Sequence, residues 1–120
     1  YLLEITDFLN PNYDNLTNNE IDIIKSLLNN ELFKNIKDAN IFKEYEFIEE
    51  TDNETKTGII DLMLEYQDHI DIIDYKLKHI DDPAYNNQLN GYKNYIHNLT
   101  NKPVNTYLYS ILDKKLFKLD

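Results

Sequence analysis

The chain has 120 residues, 42% of them hydrophobic and 12% aromatic, enough for one domain with one modest core. It contains no Cys, which excludes disulfides, thiolate zinc sites and iron–sulfur clusters. The formal charge is -10 and all 12 cationic side chains are Lys, so a free-standing binder that grips nucleic acid by charge alone is disfavoured. A metal-dependent enzyme that needs carboxylates is not.

No run approaches the roughly 18 apolar residues of a membrane span, and no signal-peptide pattern opens the chain. The expectation is a cytoplasmic domain with no membrane partner. In chain order, residues 1–40 read as a helical lead-in and 41–120 as an α/β core. Leu2 to Leu9 reads as the tail of a helix closed by Asn10-Pro11. Thr17 is an N-cap, Glu20 its capping-box partner, and Leu16 with Ile21 a hydrophobic staple. Ile21, Ile24, Leu27 and Leu28 follow as an apolar stripe.

From Ile41 the period changes. Ile41 to Ile48 reads as a strand, Thr51-Asp52-Asn53-Glu54 as a turn, and Lys56 to Tyr66 and Ile70 to Lys76 as two strands about Gln67-Asp68. Asp82-Pro83 opens a helix, with Asp82 as cap and Pro83 in the first position. Its core stripe is Tyr85, Leu89, Tyr92, Ile96 and Leu99, and Asn101-Lys102-Pro103 ends it. Val104 to Leu112 is a further strand, with a short one at Lys115 to Leu119.

The hairpin at Gln67-Asp68 carries the chemistry. If Tyr66 faces His69, Asp61 lies opposite Asp74, where side chains are about 4.5–5.5 Å apart at Cβ. Lys76 is on the face of Asp74, since strand side chains alternate. A slip of one residue would destroy this arrangement. Two facing carboxylates repel unless a cation joins them, and oxygen ligands suit Mg2+. From spacing alone the pair reads equally well as a metal site and as two solvated strand residues. His69, His79 and His97 have no metal-ligand spacing and read as surface or satisfied histidines.

Four segments carry a resemblance. Gly58-Ile59-Ile60-Asp61-Leu62 and Ile72-Ile73-Asp74-Tyr75-Lys76 resemble the "G-x-x-D … D-Y-K" pair of RecB-family nucleases, a branch of the PD-(D/E)XK superfamily. Tyr85 to Tyr92 is similar to the family's "Y-x-x-Q-L-x-x-Y" helix. Lys43-Glu44-Tyr45-Glu46-Phe47 is similar to the "R-E-x-P-F" strand of the AddA branch. The resemblance implies a restriction-endonuclease-like α/β fold, with a central mixed sheet and flanking helices. It implies Mg2+, with Mn2+ able to substitute, on Asp61, Asp74 and the backbone carbonyl of Tyr75. Lys76 becomes the catalytic lysine and Glu44 the additional acid, with Glu46 a competitor; Gln88 and Tyr92 position the site.

The implied activity is metal-dependent hydrolysis of DNA in an ATP-driven helicase–nuclease of double-strand-break repair. Its partners would be helicase domains of the same parent chain and an AddB-like subunit. The alternative is an inactive domain of the same fold that lines a DNA path. Leu77 stands where the family often has Thr, and Glu46 where it has Pro. The family's helical His would fall at or before the position preceding Tyr1, so the chain is expected to be a fragment lacking it.

Overall fold

In the computed structural model, residues 2–77 and 83–119 are described. The lead-in is helical: α1 (Leu2–Ile5), α2 (Asn18–Leu28) and two 3-10 turns, Glu31–Phe33 and Ile36–Asp38. Five strands follow, β1 (Asn40–Glu50), β2 (Thr55–Glu65), β3 (Ile70–Lys76), β4 (Val104–Ser110) and β5 (Lys115–Leu119). Between β3 and β4 lies α3 (Pro83–Thr100). The strands form one mixed sheet in sequence order. Only β3 and β4 run parallel, and α3 is the crossover that joins them.

Local signals account for the element ends. Thr17 Oγ1 accepts from the Glu20 N–H at 3.1 Å, and Glu20 Oε1 accepts from the Thr17 N–H at 2.9 Å, which closes the expected capping box on α2. β4 stops at Ser110, short of the expected Leu112, because the Ser110 hydroxyl accepts from the Asp113 N–H and Lys114 takes a left-handed φ of 55° in the turn to β5. Pro83 begins α3 as expected; the Asp82 cap and His79 lie outside the described residues.

The sheet is covered on both faces. α2 lays Ile23, Ile24 and Leu27 on one, against Leu62, Leu64, Ile73 and Tyr109. α3 lays Leu89, Tyr92 and Ile96 on the other, against Ile60, Met63, Ile72 and Leu108. With helices on both sides, β3 is buried from Ile70 to Asp74, as central strands beside a parallel partner are. Two expectations fail at the margins. Ile23 is buried, whereas Ile21 and Leu28 are only partly so, and Leu99 is 59% exposed. Helical periodicity gives the direction of a side chain but not how far the surface beneath it extends.

One irregularity shapes the rest. β1 and β2 keep one register on both sides of Glu44, with Lys43 opposite Leu62 and Tyr45 opposite Ile60. Yet Leu62 and Leu64 point into the α2 core while Ile60 points into the α3 core; likewise Phe42 and Tyr45, three residues apart, both pack toward α3. Strict alternation would forbid both. The hairpin therefore turns over at the rung of Glu44 and Asp61, where Glu44 has φ 51°. Beyond it, Phe47 and Gly58 come against α3. A Cβ on Gly58 would lie 2.7 Å from the Phe47 ring and 2.8 Å from the Tyr92 ring, so only Gly fits.

Candidate active site

Asp61 and Asp74 meet at the end of the β2–β3 pairing. The hairpin has the expected register: the Tyr66 N–H donates to the His69 carbonyl at 2.8 Å, and the ladder runs from Glu65–Ile70 to Leu62–Ile73. One rung further would set Asp61 against Asp74, but there β2 turns over. The Asp61 side chain takes the place of a ladder carbonyl, its Oδ2 accepting from the Tyr75 N–H at 2.8 Å.

The electrostatics follow from burial. Asp74 is 4% exposed. The Asp61 carboxyl has its pKa pushed up to about 7, first by burial, then by a hydrogen bond to Asp74 and by its charge; the Tyr75 N–H and the Lys76 charge pull the other way. Burial and the neighbouring Asp74 carboxyl thus favour the protonated form of Asp61. The Lys76 ammonium lies 2.9 Å from Asp74 Oδ2, though that buried oxygen has no well-directed hydrogen bond among the described residues. Burial alone would favour the neutral amine of Lys76, but the Asp74 carboxylate outweighs it and holds the lysine charged, above its ordinary range.

Lys76 is steered from α3. It donates to Gln88 Oε1 at 3.4 Å and sits 4.3 Å from the centroid of the Tyr85 ring, a cation–π contact. Gln88 Nε2 in turn donates to the Tyr92 hydroxyl at 2.9 Å. Tyr85, Gln88 and Tyr92 stand three and four residues apart, hence on one helix face. Burial first, then Asp74, raises the pKa of Tyr92, which keeps its hydroxyl neutral.

Five of the expected residues are therefore brought together: Asp61, Asp74, Lys76, Gln88 and Tyr92. Tyr75 joins through its N–H, and burial followed by Asp61, Asp74 and Glu4 pushes its phenol pKa upward. Glu44 is not in the cluster. It is on the rung of Asp61, but its exposed side chain has no hydrogen bond or ion pair among the described residues. Glu46 is exposed on the rung of Ile59, farther out. Sequence reasoning overlooked Tyr85 as a support for Lys76, although its spacing to Gln88 was signal enough. It also overlooked Glu4 and Glu20, which line a small cavity with Asp61 and Tyr75; no local pattern points to them.

These residues fit a hard divalent cation. Among the described residues no group of three or more carboxylates, imidazoles or thiols converges, and Mg2+ is commonly held by one or two carboxylates with waters and substrate oxygens filling the rest. Two carboxyls in contact, one with an oxygen that lacks a proper donor, form such a donor set. No helix among the described residues is long and apolar enough to cross a membrane. The sequence matches no known family model and no curated protein.

Proposed function

We propose that the chain is a nuclease domain of the PD-(D/E)XK type that hydrolyses DNA phosphodiesters with Mg2+, or Mn2+, on Asp61 and Asp74. One observation carries this reading: two carboxyls held in contact at the end of the β2–β3 pairing, with the Lys76 ammonium 2.9 Å from one of them. Packing gains nothing from such a pair, because like charges side by side are destabilising. The five-stranded mixed sheet between helices supports the same reading.

Mg2+ when bound would polarise a phosphoryl oxygen and make its water more acidic. The chain's own residues do the rest. Asp61 and Asp74 would hold the ion through their carboxylate oxygens, and the family resemblance adds the Tyr75 backbone carbonyl. Lys76 keeps its charge and is aimed by Gln88 and the Tyr85 ring, so it can stabilise charge building on the phosphate. Tyr92 fixes Gln88, and Gly58 leaves room for the Tyr92 ring. Glu44 stands outside the ligand set.

With a net charge of -10, this chain needs a basic path for DNA from elsewhere. A RecB/AddA-type parent with helicase domains and an AddB-like partner in the cytoplasm would supply it. Calorimetry with Mg2+ and Mn2+ tests the site. Saturable binding should vanish in Asp74→Ala and persist in Lys76→Met, while Lys76→Met slows DNA hydrolysis by about 10²–10³-fold. Equal Mg2+ binding by Asp74→Ala and the parent protein would overturn the assignment and leave a scaffold of the same fold.

A further inference from the structure

The outer half of the β1–β2 hairpin stands clear of β3. The β2–β3 ladder ends at Leu62, so among the described residues Thr55 to Ile60 pair with β1 alone. Two open cavities, of about 520 Å3 and 610 Å3, are lined by this arm on one side and by α3 on the other. Both are bordered by Phe47, Thr57, Gln88 and Tyr92, so together they form one groove. Gln88 also holds Lys76, which joins the groove to the proposed active site.

Gly91 is the residue that gives the groove meaning. It stands in the middle of an 18-residue helix, where Gly is destabilising relative to Ala. Packing does not require it, since a Cβ there would meet nothing within 4 Å. It lines the groove with Asn87, Asn94 and Asn98, at steps of four, three and four that set all of them on one helix face. The three Asn side chains are exposed and make no hydrogen bond among the described residues. Bare helix backbone flanked by unpaired amides suits the close approach of another chain.

The lining selects the chemistry of that chain. Asn amides donate to phosphate oxygens, and contacts of this kind position a nucleic acid without reading its sequence. Lys56 adds a cation; its partner Glu54, at 3.5 Å, is as exposed as Lys56 itself, a pairing of little worth that a phosphate can replace. Glu49, opposite Lys56, gives the α3 side of the groove one charge of each sign, in a chain whose net charge is -10. Half-buried Phe47 offers a wall for a base. The donors form a single row. By strand alternation the other face of the arm carries Glu46 and Glu50 and no cation, which disfavours the second backbone of a duplex.

We infer that this groove seats single-stranded DNA, its backbone crossing Gly91 on the way to Gln88 and the acid pair. The choice of substrate rests on the nuclease reading, but the test needs no metal and no turnover. Protein labelled with 15N is titrated with a thymidine decanucleotide at low ionic strength, and the amide resonances are followed. Weak but saturable shifts are expected at the Gly91 N–H and at the Asn87, Asn94 and Asn98 side chains. A duplex of the same length should bind about tenfold more weakly. Gly91→Leu fills the groove with a better helix former, so it should raise the melting temperature while weakening the single strand about tenfold. Asn94→Ala combined with Asn98→Ala should weaken it by a smaller factor. Asn90→Leu, exposed on α3 but outside the groove, should leave binding unchanged.

No saturable shift, shifts that avoid this helix face, a duplex bound as tightly as the single strand, or equal losses in Gly91→Leu and Asn90→Leu would each overturn the inference. Its failure is separable from that of the nuclease reading. If Asp74→Ala keeps its Mg2+ binding while the strand still shifts these amides, the metal site falls and the groove stands. If Mg2+ binding depends on Asp74 and the strand does not bind, the groove alone falls.

Discussion

β3 carries two aspartates, one toward each end, and they are buried to the same degree: Asp71 is 2% exposed and Asp74 is 4%. Their company differs. Asp71 points to the α2 side and receives a donor from Asn105 and the edge of His69. Asp74 points to the α3 side, touches another carboxyl, and among the described residues is countered by Lys76. Burial of an acid therefore says little about catalysis. What distinguishes the second acid is that its neighbours do not satisfy it, and that is the state a cation relieves.

The largest expected effect concerns protons. Asp61 has a folded-state pKa of about 7, above the ordinary 3.8 of an unfolded aspartate, so the folded form holds the proton more tightly. The stability from this group is fully present below the unfolded pKa and is lost as pH rises from about 4 toward 7. Mg2+ held by Asp61 would displace its proton, so the apparent affinity should rise about tenfold per pH unit below pH 7 and level off above it. Calorimetry in buffers of different ionisation enthalpy reads the released proton directly. A pH-independent affinity between pH 5 and 7 would remove the distinction between the two ends of β3.

Next in size is a stability contrast. Asp71→Ala leaves Asn105 and His69 without their acceptor and should cost about 2–3 kcal/mol in urea unfolding. Asp74→Asn in metal-free protein at pH 8 removes the repulsion with Asp61 along with the Lys76 ion pair, so the two effects oppose and it should cost less than Asp71→Ala. If both changes destabilise equally, the two acids are structural alike.

The smallest effect sharpens the geometry on the α3 side. Gly58→Ala should cost about 1–2 kcal/mol by pressing on the Phe47 and Tyr92 rings. Because Tyr92 holds Gln88 and Gln88 holds Lys76, it should also lower turnover while leaving Mg2+ affinity intact. The same change should not disturb the Asp71 cluster on the other face.

Much of this arrangement was legible in the sequence, for identifiable reasons. The short turn at Gln67-Asp68 fixes the β2–β3 register, and that register alone brings Asp61 toward Asp74. Gln88 and Tyr92 come from the family resemblance, to which helical spacing adds that they share a face, and the capping box comes from Thr17 and Glu20. The turning-over of β1 and β2 was not legible. Neither Gly nor Asn marks it, since the left-handed residue is Glu44, and alternation persists on either side. That is why Glu44, which the family resemblance sets with the two aspartates, stands apart. Nor could any local pattern bring Glu4 and Glu20 to Asp61, because those contacts depend on how α1 and α2 dock. The Asp71 cluster escaped for a similar reason: His69 looks solvated until Tyr66 and the 3-10 turns close around it.

The Tyr75 amide has one further consequence. Its proton rests on a side-chain oxygen of Asp61, where neighbouring rungs use backbone carbonyls, and that oxygen belongs to a group that ionises near neutrality. The amide is thus a built-in spectroscopic gauge. Its resonance should move with the charge on Asp61, whose ionisation can be followed in the unlabelled side chain's own neighbour without a substrate or a mutation.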